Sequence, residues 1–276
     1  MLTGTNLTYT KAYNFRIVFE TIRLEGPISR ADVARKTSLT AQTVSNIVSR
    51  LLDRNFVMEG KKLRKKRGAP STTLEVNPDG AYSIGLDFNR DHLTGILVDL
   101  AGKVKTKYYY EFDSPLPDEA VDLMVKTYEQ LYSSHENTDA HFCGIGIGIQ
   151  GPLQINKNNE ISNTINPKAF PNWNDVPIGK MLKDKIDAPI FIENNASAAT
   201  IGEMWYGAGK NISNFIYAFF GAGLGGGLVL NGNLYDGVRQ NASEFGYFPY
   251  VGEISPLSYS SQPHIGEHFN LNVIYE

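Results

Sequence analysis

At Tyr82 the spacing of apolar residues changes. Before it they recur at helical intervals; after it they come in short β-rich runs broken by glycines. The two regimes predict two domains, residues 1–80 and residues 81–276. Charge divides at the same place. Residues 1–80 carry 14 Lys and Arg against 7 Asp and Glu, a net of +7, while residues 81–276 carry 12 against 22, a net of −10. A small basic domain joined to an acidic body is the electrostatic footprint of phosphate contact, and it points to double-stranded DNA as a partner.

Hydrophobic content of 42% and charged content of 20% fit a well-cored protein. The single cysteine, Cys143, excludes an intrachain disulfide and fits a reducing compartment. Within the apolar run His141-Phe142-Cys143-Gly144-Ile145 it reads as a buried packing residue. No signal peptide opens the chain and no run of ~18 apolar residues could span a bilayer, so the expectation is a cytoplasmic protein without a membrane partner.

In the first domain Phe15, Val18, Phe19 and Ile22 form the stripe of one helix, ended by Gly26-Pro27. Ser29-x-x-Asp32 resembles a capping box and opens a short helix to about Thr37. Ser38-Leu39 make a turn and Thr40 caps a third helix, whose apolar face is Val44, Ile47, Val48, Leu51 and Leu52. The other face shows Gln42, Thr43, Ser45, Asn46, Ser49 and Arg50, side chains suited to base edges in a major groove. Phe56–Met58 and Thr72–Val76 read as the two strands of a wing, with Lys61-Lys62-Leu63-Arg64-Lys65-Lys66-Arg67 between them. The expected DNA-contacting set is Ser29, Arg30, Thr40, Gln42, Thr43, Ser45, Asn46, Arg50, Arg64, Lys65, Lys66 and Arg67, the last four on the backbone or a minor groove.

The second domain alternates strand-like runs (82–87, 93–100, 104–112, 143–149, 189–193, 215–220) with helix-like stretches at 118–132 and 196–206. Gly221–Gly227 reads as a glycine loop before a short strand over 228–230. This is an α/β body with turns at strand ends, where ligands of such sheets bind.

Several motifs together carry a family resemblance: Gly26-Pro27-Ile28-Ser29-Arg30, Thr43-Val44-Ser45, Gly144-Ile145-Gly146-Ile147-Gly148, Glu193-Asn194-Asn195-Ala196, Gly221–Gly227 and Ala242-Ser243-Glu244-Phe245-Gly246. In this order the chain resembles the ROK family (repressors, open reading frames and kinases), in particular its winged-helix transcriptional regulators. The resemblance implies a winged helix-turn-helix followed by an actin-like, hexokinase-like two-lobed α/β body. Relatives normally continue well past the position of Glu276, so it also implies a second lobe incomplete at the C-terminus. Kinase members phosphorylate sugars with ATP; winged-helix members repress sugar-use operons, as dimers on operator DNA.

The resemblance also implies a lost activity. Where kinase members have Asp-x-Gly-Gly-Thr, this chain has Asp87-Phe88-Asn89-Arg90-Asp91, without the bare backbone that approaches phosphate. The family's catalytic aspartate corresponds to Asn195, and an amide has no basic lone pair to take a hydroxyl proton. Ala222 stands where kinases carry a threonine. The expectation is a non-enzyme that keeps a sugar pocket built from Asn166, Glu193, Asn194, Asn195, Glu244 and Tyr247, with Trp173 near Asn166 in the same stretch. Tyr247 replaces a family histidine, which leaves the ligand's identity open. No cysteine follows where many members bind zinc, and His264 and His268 alone are too few ligands, so no metal and no cofactor are expected. The alternatives are an active sugar kinase with an accessory head, or a ligand-blind DNA-binding dimer.

Overall fold

The computed structural model describes residues 7–63, 71–136, 139–150, 153–155, 161–163, 172–173, 176–221, 224–237, 243 and 245–247. The chain forms two compact units. The first comprises Met1–Ser83 with Leu97–Thr106 and His135–Cys143; the second comprises Ile84–Ile96, Lys107–Ser134 and Gly144–Glu276.

The first unit opens with α1 (Leu7–Glu25), β1 (Ile28–Ser29), α2 (Arg30–Thr37), α3 (Ala41–Asp53), β2 (Val57–Leu63) and β3 (Ser71–Val76). The strands form an antiparallel sheet of order β1-β3-β2, with Ile28 opposite Leu74 and Val57 opposite Val76. Val18, Ile22, Ile28, Val33, Val44, Ile47, Val48, Leu51, Val57 and Leu74 make one core. Each contributes about 1.5–3 kcal/mol by leaving water, and this burial rather than intrinsic propensity holds the short helices. Their ends are set locally. Ser29 accepts the N–H of Asp32 to start α2, Ser38 takes a left-handed conformation to end it, and Thr40 accepts the N–H of Thr43 to start α3. Strand β2 runs further than its apolar residues suggest, through Lys61 and Lys62 to Leu63, because Lys62 and Leu63 pair with Thr72 and Ser71.

Beyond β3 the same unit is tied to its later segments. Asn77 donates from Nδ2 to both oxygens of Asn55 (2.9 Å each) and from its backbone to Phe56 (3.0 Å). Leu100 donates to the Pro78 carbonyl at 3.2 Å. Phe56 packs on His141 at 6.0 Å between ring centroids, and Tyr82 lies on His135 at 3.8 Å and on Phe142 at 5.0 Å.

The remaining elements are β4 (Ala81–Phe88), β5 (His92–Asp99), β6 (Val104–Glu111), α4 (Pro117–Ser133), β7 (His141–Ile149), β8 (Leu153–Ile155), β9 (Ile161–Asn163), α5 (Ile178–Lys183), β10 (Ile190–Asn194), α6 (Asn195–Tyr206), β11 (Phe215–Phe220), β12 (Leu224–Leu230) and β13 (Asn233–Leu234). A five-stranded sheet has the order β10-β7-β4-β5-β6, and β11-β12-β13 form a second sheet. Strand β7 begins badly for most side chains: Gly144 has φ +122, and a Cβ there would lie 2.5 Å from the Pro189 carbonyl. Three sequence expectations change here. Cys143 is exposed rather than buried, because it lies at the outer end of β7 before the core residues Ile145, Ile147 and Ile149. Trp173 is fully buried against Phe88, its indole N–H donating to the Pro115 carbonyl at 2.9 Å, so it is a core residue. The glycines 225–227 lie within β12, paired with Phe219, Ala218 and Tyr217, rather than in a loop. No described helix is long and apolar enough to cross a membrane.

Candidate functional site

Strands β7 and β10 run parallel and end side by side, with Gly148 opposite Glu193 and Ile149 opposite Asn194. Helix α6 starts directly from β10. Asn194 is its cap: its Oδ1 accepts the N–H groups of Ala196 (2.9 Å) and Ser197 (3.2 Å). That commitment leaves only its Nδ2 for a ligand. Asn195, the next residue, is buried at 8% exposure. Gly148 lies beside both Asp87 and Asn195: a Cβ there would be in ordinary contact, 3.4 Å from Asp87 Oδ1 and 3.5 Å from the Asn195 Cα.

The turn after β4 completes this corner. The Asn89 N–H donates to the His92 carbonyl at 2.9 Å, which closes a tight turn over Arg90 and Asp91. Asn195 Nδ2 donates to Asn89 Oδ1 at 3.1 Å, and Asn89 Nδ2 donates to Asp87 Oδ2 at 2.9 Å. The turn after β4 is therefore joined to the start of α6 through side chains. Asp87 is open to solvent on one side, yet the protein crowding its carboxyl raises its pKa above the ordinary range; the Asn89 hydrogen bond and the nearby His92 offset this only in part. Desolvation also raises half-buried Glu193, opposed by the Asn194 N–H on its Oε1 (2.9 Å) and reinforced by Asp236.

These directions set a pH dependence. An acid raised in the folded state contributes stability that is full below its unfolded pKa, about 4.3 for glutamate, and lost as pH rises through the folded value. At neutral pH Glu193 thus costs stability. Glu193→Gln keeps an acceptor for Asn194 and should raise Tm at pH 7, by about 2–4 °C for each 1 kcal/mol relieved. The gain should vanish below pH ~4, where both side chains are neutral. Thermal unfolding at the two pH values checks this, and an unchanged or lowered Tm at pH 7 contradicts it.

In the first unit α3 turns Gln42, Ser45, Asn46, Ser49 and Arg50 outward, while Val44, Ile47, Val48 and Leu51 face the core. Gln42 Nε2 donates to Asn46 Oδ1 at 3.0 Å, which orients both amides and leaves the Gln42 oxygen and the Asn46 NH2 outward. Thr40 and Thr43 share a hydroxyl contact of 2.9 Å at the helix start. Two of the expected residues have partners within the protein. Ser29 is 3% exposed, its hydroxyl engaged in the cap and with Asp32 Oδ2 (2.7 Å), so it serves the start of α2. Arg30 is paired with Glu59 at 2.9 Å. Arg50 lies with its guanidinium 5.2 Å from the centre of the Phe15 ring, which holds it at the α1 side of the exposed face. Arg64, Lys65, Lys66, Arg67, Asn166, Glu244, His264 and His268 lie outside the described residues, as does the side chain of Tyr247.

Sequence reasoning missed Asn89 and His92 as site residues. The signal was present as Asp87-x-Asn89, alternate positions that share one side of an extended strand end.

Residues 83–259 match the ROK family, and the chain belongs to that family. It is 33% identical over 240 residues to a xylose repressor of Bacillus spizizenii, covering 87% of this chain and 61% of the relative. It is also 33% identical over 125 residues to a glucokinase of Halalkalibacterium halodurans, covering 45% of this chain and 36% of that enzyme. The chain thus spans about three fifths of the xylose repressors it matches. Among solved structures, a ROK family transcriptional regulator homologous to the E. coli MLC protein shares the fold with a TM-score of 0.75 at 21% identity, over 96% of this chain and 66% of that one.

Proposed function

We propose that the protein is a sugar-responsive transcriptional repressor that binds operator DNA as a homodimer and does not phosphorylate its sugar. The helices α1–α3 and the sheet β1-β3-β2 act as a winged helix-turn-helix, with α3 in the major groove. The single observation that carries this is the outward face of α3, where oriented amides and short hydroxyls stand over a closed apolar core. Gln42, Ser45 and Asn46 read bases; Thr40, Thr43 and Arg50 hold the backbone; Arg64, Lys65, Lys66 and Arg67 add contacts through charge. The likeness to xylose repressors supports both the regulatory role and a sugar as the effector.

In the body, Glu193, Asn194 and Asn195, with Asn166, Glu244 and Tyr247, bind the sugar. Phosphoryl transfer has no support in this corner. Asn195 supplies no base, and the turn after β4 carries Asn89, Arg90 and Asp91 where phosphate would need bare N–H groups. Sugar binding changes the relative stability of DNA-competent and DNA-incompetent states by its differential affinity for them.

The test is a thermal-shift screen of the protein against D-xylose, other mono- and disaccharides, polyols, sugar phosphates, and ATP with magnesium, followed by DNA binding with each hit. A sugar at 100 times its Kd should stabilise by about 2.7 kcal/mol and weaken operator binding, with no shift from ATP. Sugar-dependent ATP consumption would overturn the reading in favour of a kinase. Silence of all sugars would overturn it in favour of a ligand-blind regulator.

A further inference from the structure

A buried amide can stand either way round, and its orientation decides which partner it can serve. At Asn195 the choice is fixed chiefly by Asn89. Its Nδ2 donates to Asn89 Oδ1 at 3.1 Å, and its Oδ1 shares the Ala196 N–H (2.9 Å) with the capping oxygen of Asn194. Asn89 is itself unable to turn over. Its Nδ2 faces the Asp87 carboxylate at 2.9 Å and the His92 Nε2 at 3.2 Å, and a flip would set oxygen against oxygen at Asp87. Since Asn89 donates, His92 Nε2 accepts, and the imidazole proton sits on Nδ1, facing Asp91 Oδ1 at 2.7 Å. The hydrogen bonds from Asn195 to Asp87 therefore run in one direction only.

We propose that Asn89 is a positioning residue: through it the Asp87 carboxylate sets which way round Asn195 meets its ligand. So held, Asn195 keeps one N–H and one carbonyl lone pair uncommitted, which match the lone pairs and the proton of a single hydroxyl. This inference rests on the sugar-site reading given above, but its structural part can be measured without any sugar.

The experiment exploits the direction of the chain. Asn195→Asp keeps the shape but replaces the donor by an acceptor, which then faces Asn89 Oδ1. Asp87→Asn alone leaves an acceptor for Asn89 and should be tolerated. The double variant D87N/N195D moves one carboxylate from one end to the other at constant net charge. Its hydrogen bonds can run in reverse: the new amide at 87 donates to Asn89 Oδ1, and Asn89 Nδ2 donates to the new carboxylate at 195. His92 Nε2 must then donate to the Asn89 oxygen.

All four proteins are compared by thermal unfolding and by titration with D-xylose. N195D should lower the unfolding midpoint and weaken xylose binding by roughly tenfold or more. The double variant should regain most of both losses. A double variant no better than the sum of its single changes, or one that fails to fold alongside N195D, overturns the proposal. If wild-type protein binds neither xylose nor any other sugar of the panel, the sugar-site reading fails, while the unfolding midpoints still decide whether Asn89 sets the direction of the chain.

Discussion

Gln42→Ala combined with Asn46→Ala should leave Tm unchanged and remove most of the protein's preference for its operator. Both side chains are exposed on α3 and touch each other rather than the core, so truncation opens no cavity. A well-made amide contact to a base is worth about 1–3 kcal/mol of discrimination, so losing two should cost roughly 30-fold to more than ten-thousand-fold in specific affinity. Binding to unrelated duplex, which rests on phosphate contacts, should persist with the same salt slope. Lys65→Ala with Lys66→Ala should do the reverse, weakening all sequences alike and lowering the slope by roughly one for each lysine that had neutralised a phosphate. Fluorescence anisotropy over a salt series, using a duplex selected by the protein from a random pool and a scrambled control, separates the two patterns. Unchanged discrimination in the α3 variant would contradict α3 as the base-reading helix.

The second large effect is expected at Gly227→Ala. Here β12 runs so close to α6 that an added Cβ would stand 2.0 Å from Thr200 Oγ1 and 2.6 Å from the Thr200 Cβ. Thr200 is fully buried and bonded to the Ala196 carbonyl at 2.7 Å, so a rotamer change cannot clear its Cβ. The helix or the strand has to move. Overpacking of this kind costs on the order of 3 kcal/mol, a fall in Tm of roughly 6–12 °C. Because Asn195 opens the same helix, sugar binding should weaken in parallel. Thermal unfolding and sugar titration of the one variant check both statements; a wild-type Tm would mean that the strand has room to yield.

The head was readable because its signals are local and mutually consistent. Ser29 and Thr40 cap, Ser38 turns, and the apolar spacing of α3 points to one face. The Gly225–Gly227 run misled for a physical reason. Glycine has low strand propensity, and this stretch is a strand only through pairing with β11 and the close approach of α6, neither of which is local. Ser29 shows the opposite limit, since one hydroxyl can cap a helix or meet a phosphate and only burial decides between them. At the site, residue types alone picked out Glu193, Asn194 and Asn195. They could not show that Asn194 spends its oxygen on the cap, or that Asn89 lies against Asn195 across 106 positions of chain. Hydrogen-bond direction is a property of pairs, and pairs so distant in sequence carry no spacing signal.

The ties within the first unit bear on how such a head could be exchanged among relatives. A graft cut at residue 80 would carry away Pro78 without Leu100, its hydrogen-bond donor, and Phe56 without the ring of His141. A recombination event at that point would thus deliver a head with an unfilled underside. Successful transfer would have to bring side chains from 97–106 and 135–143 along with it, so the first unit moves intact only together with two segments that lie far later in the chain.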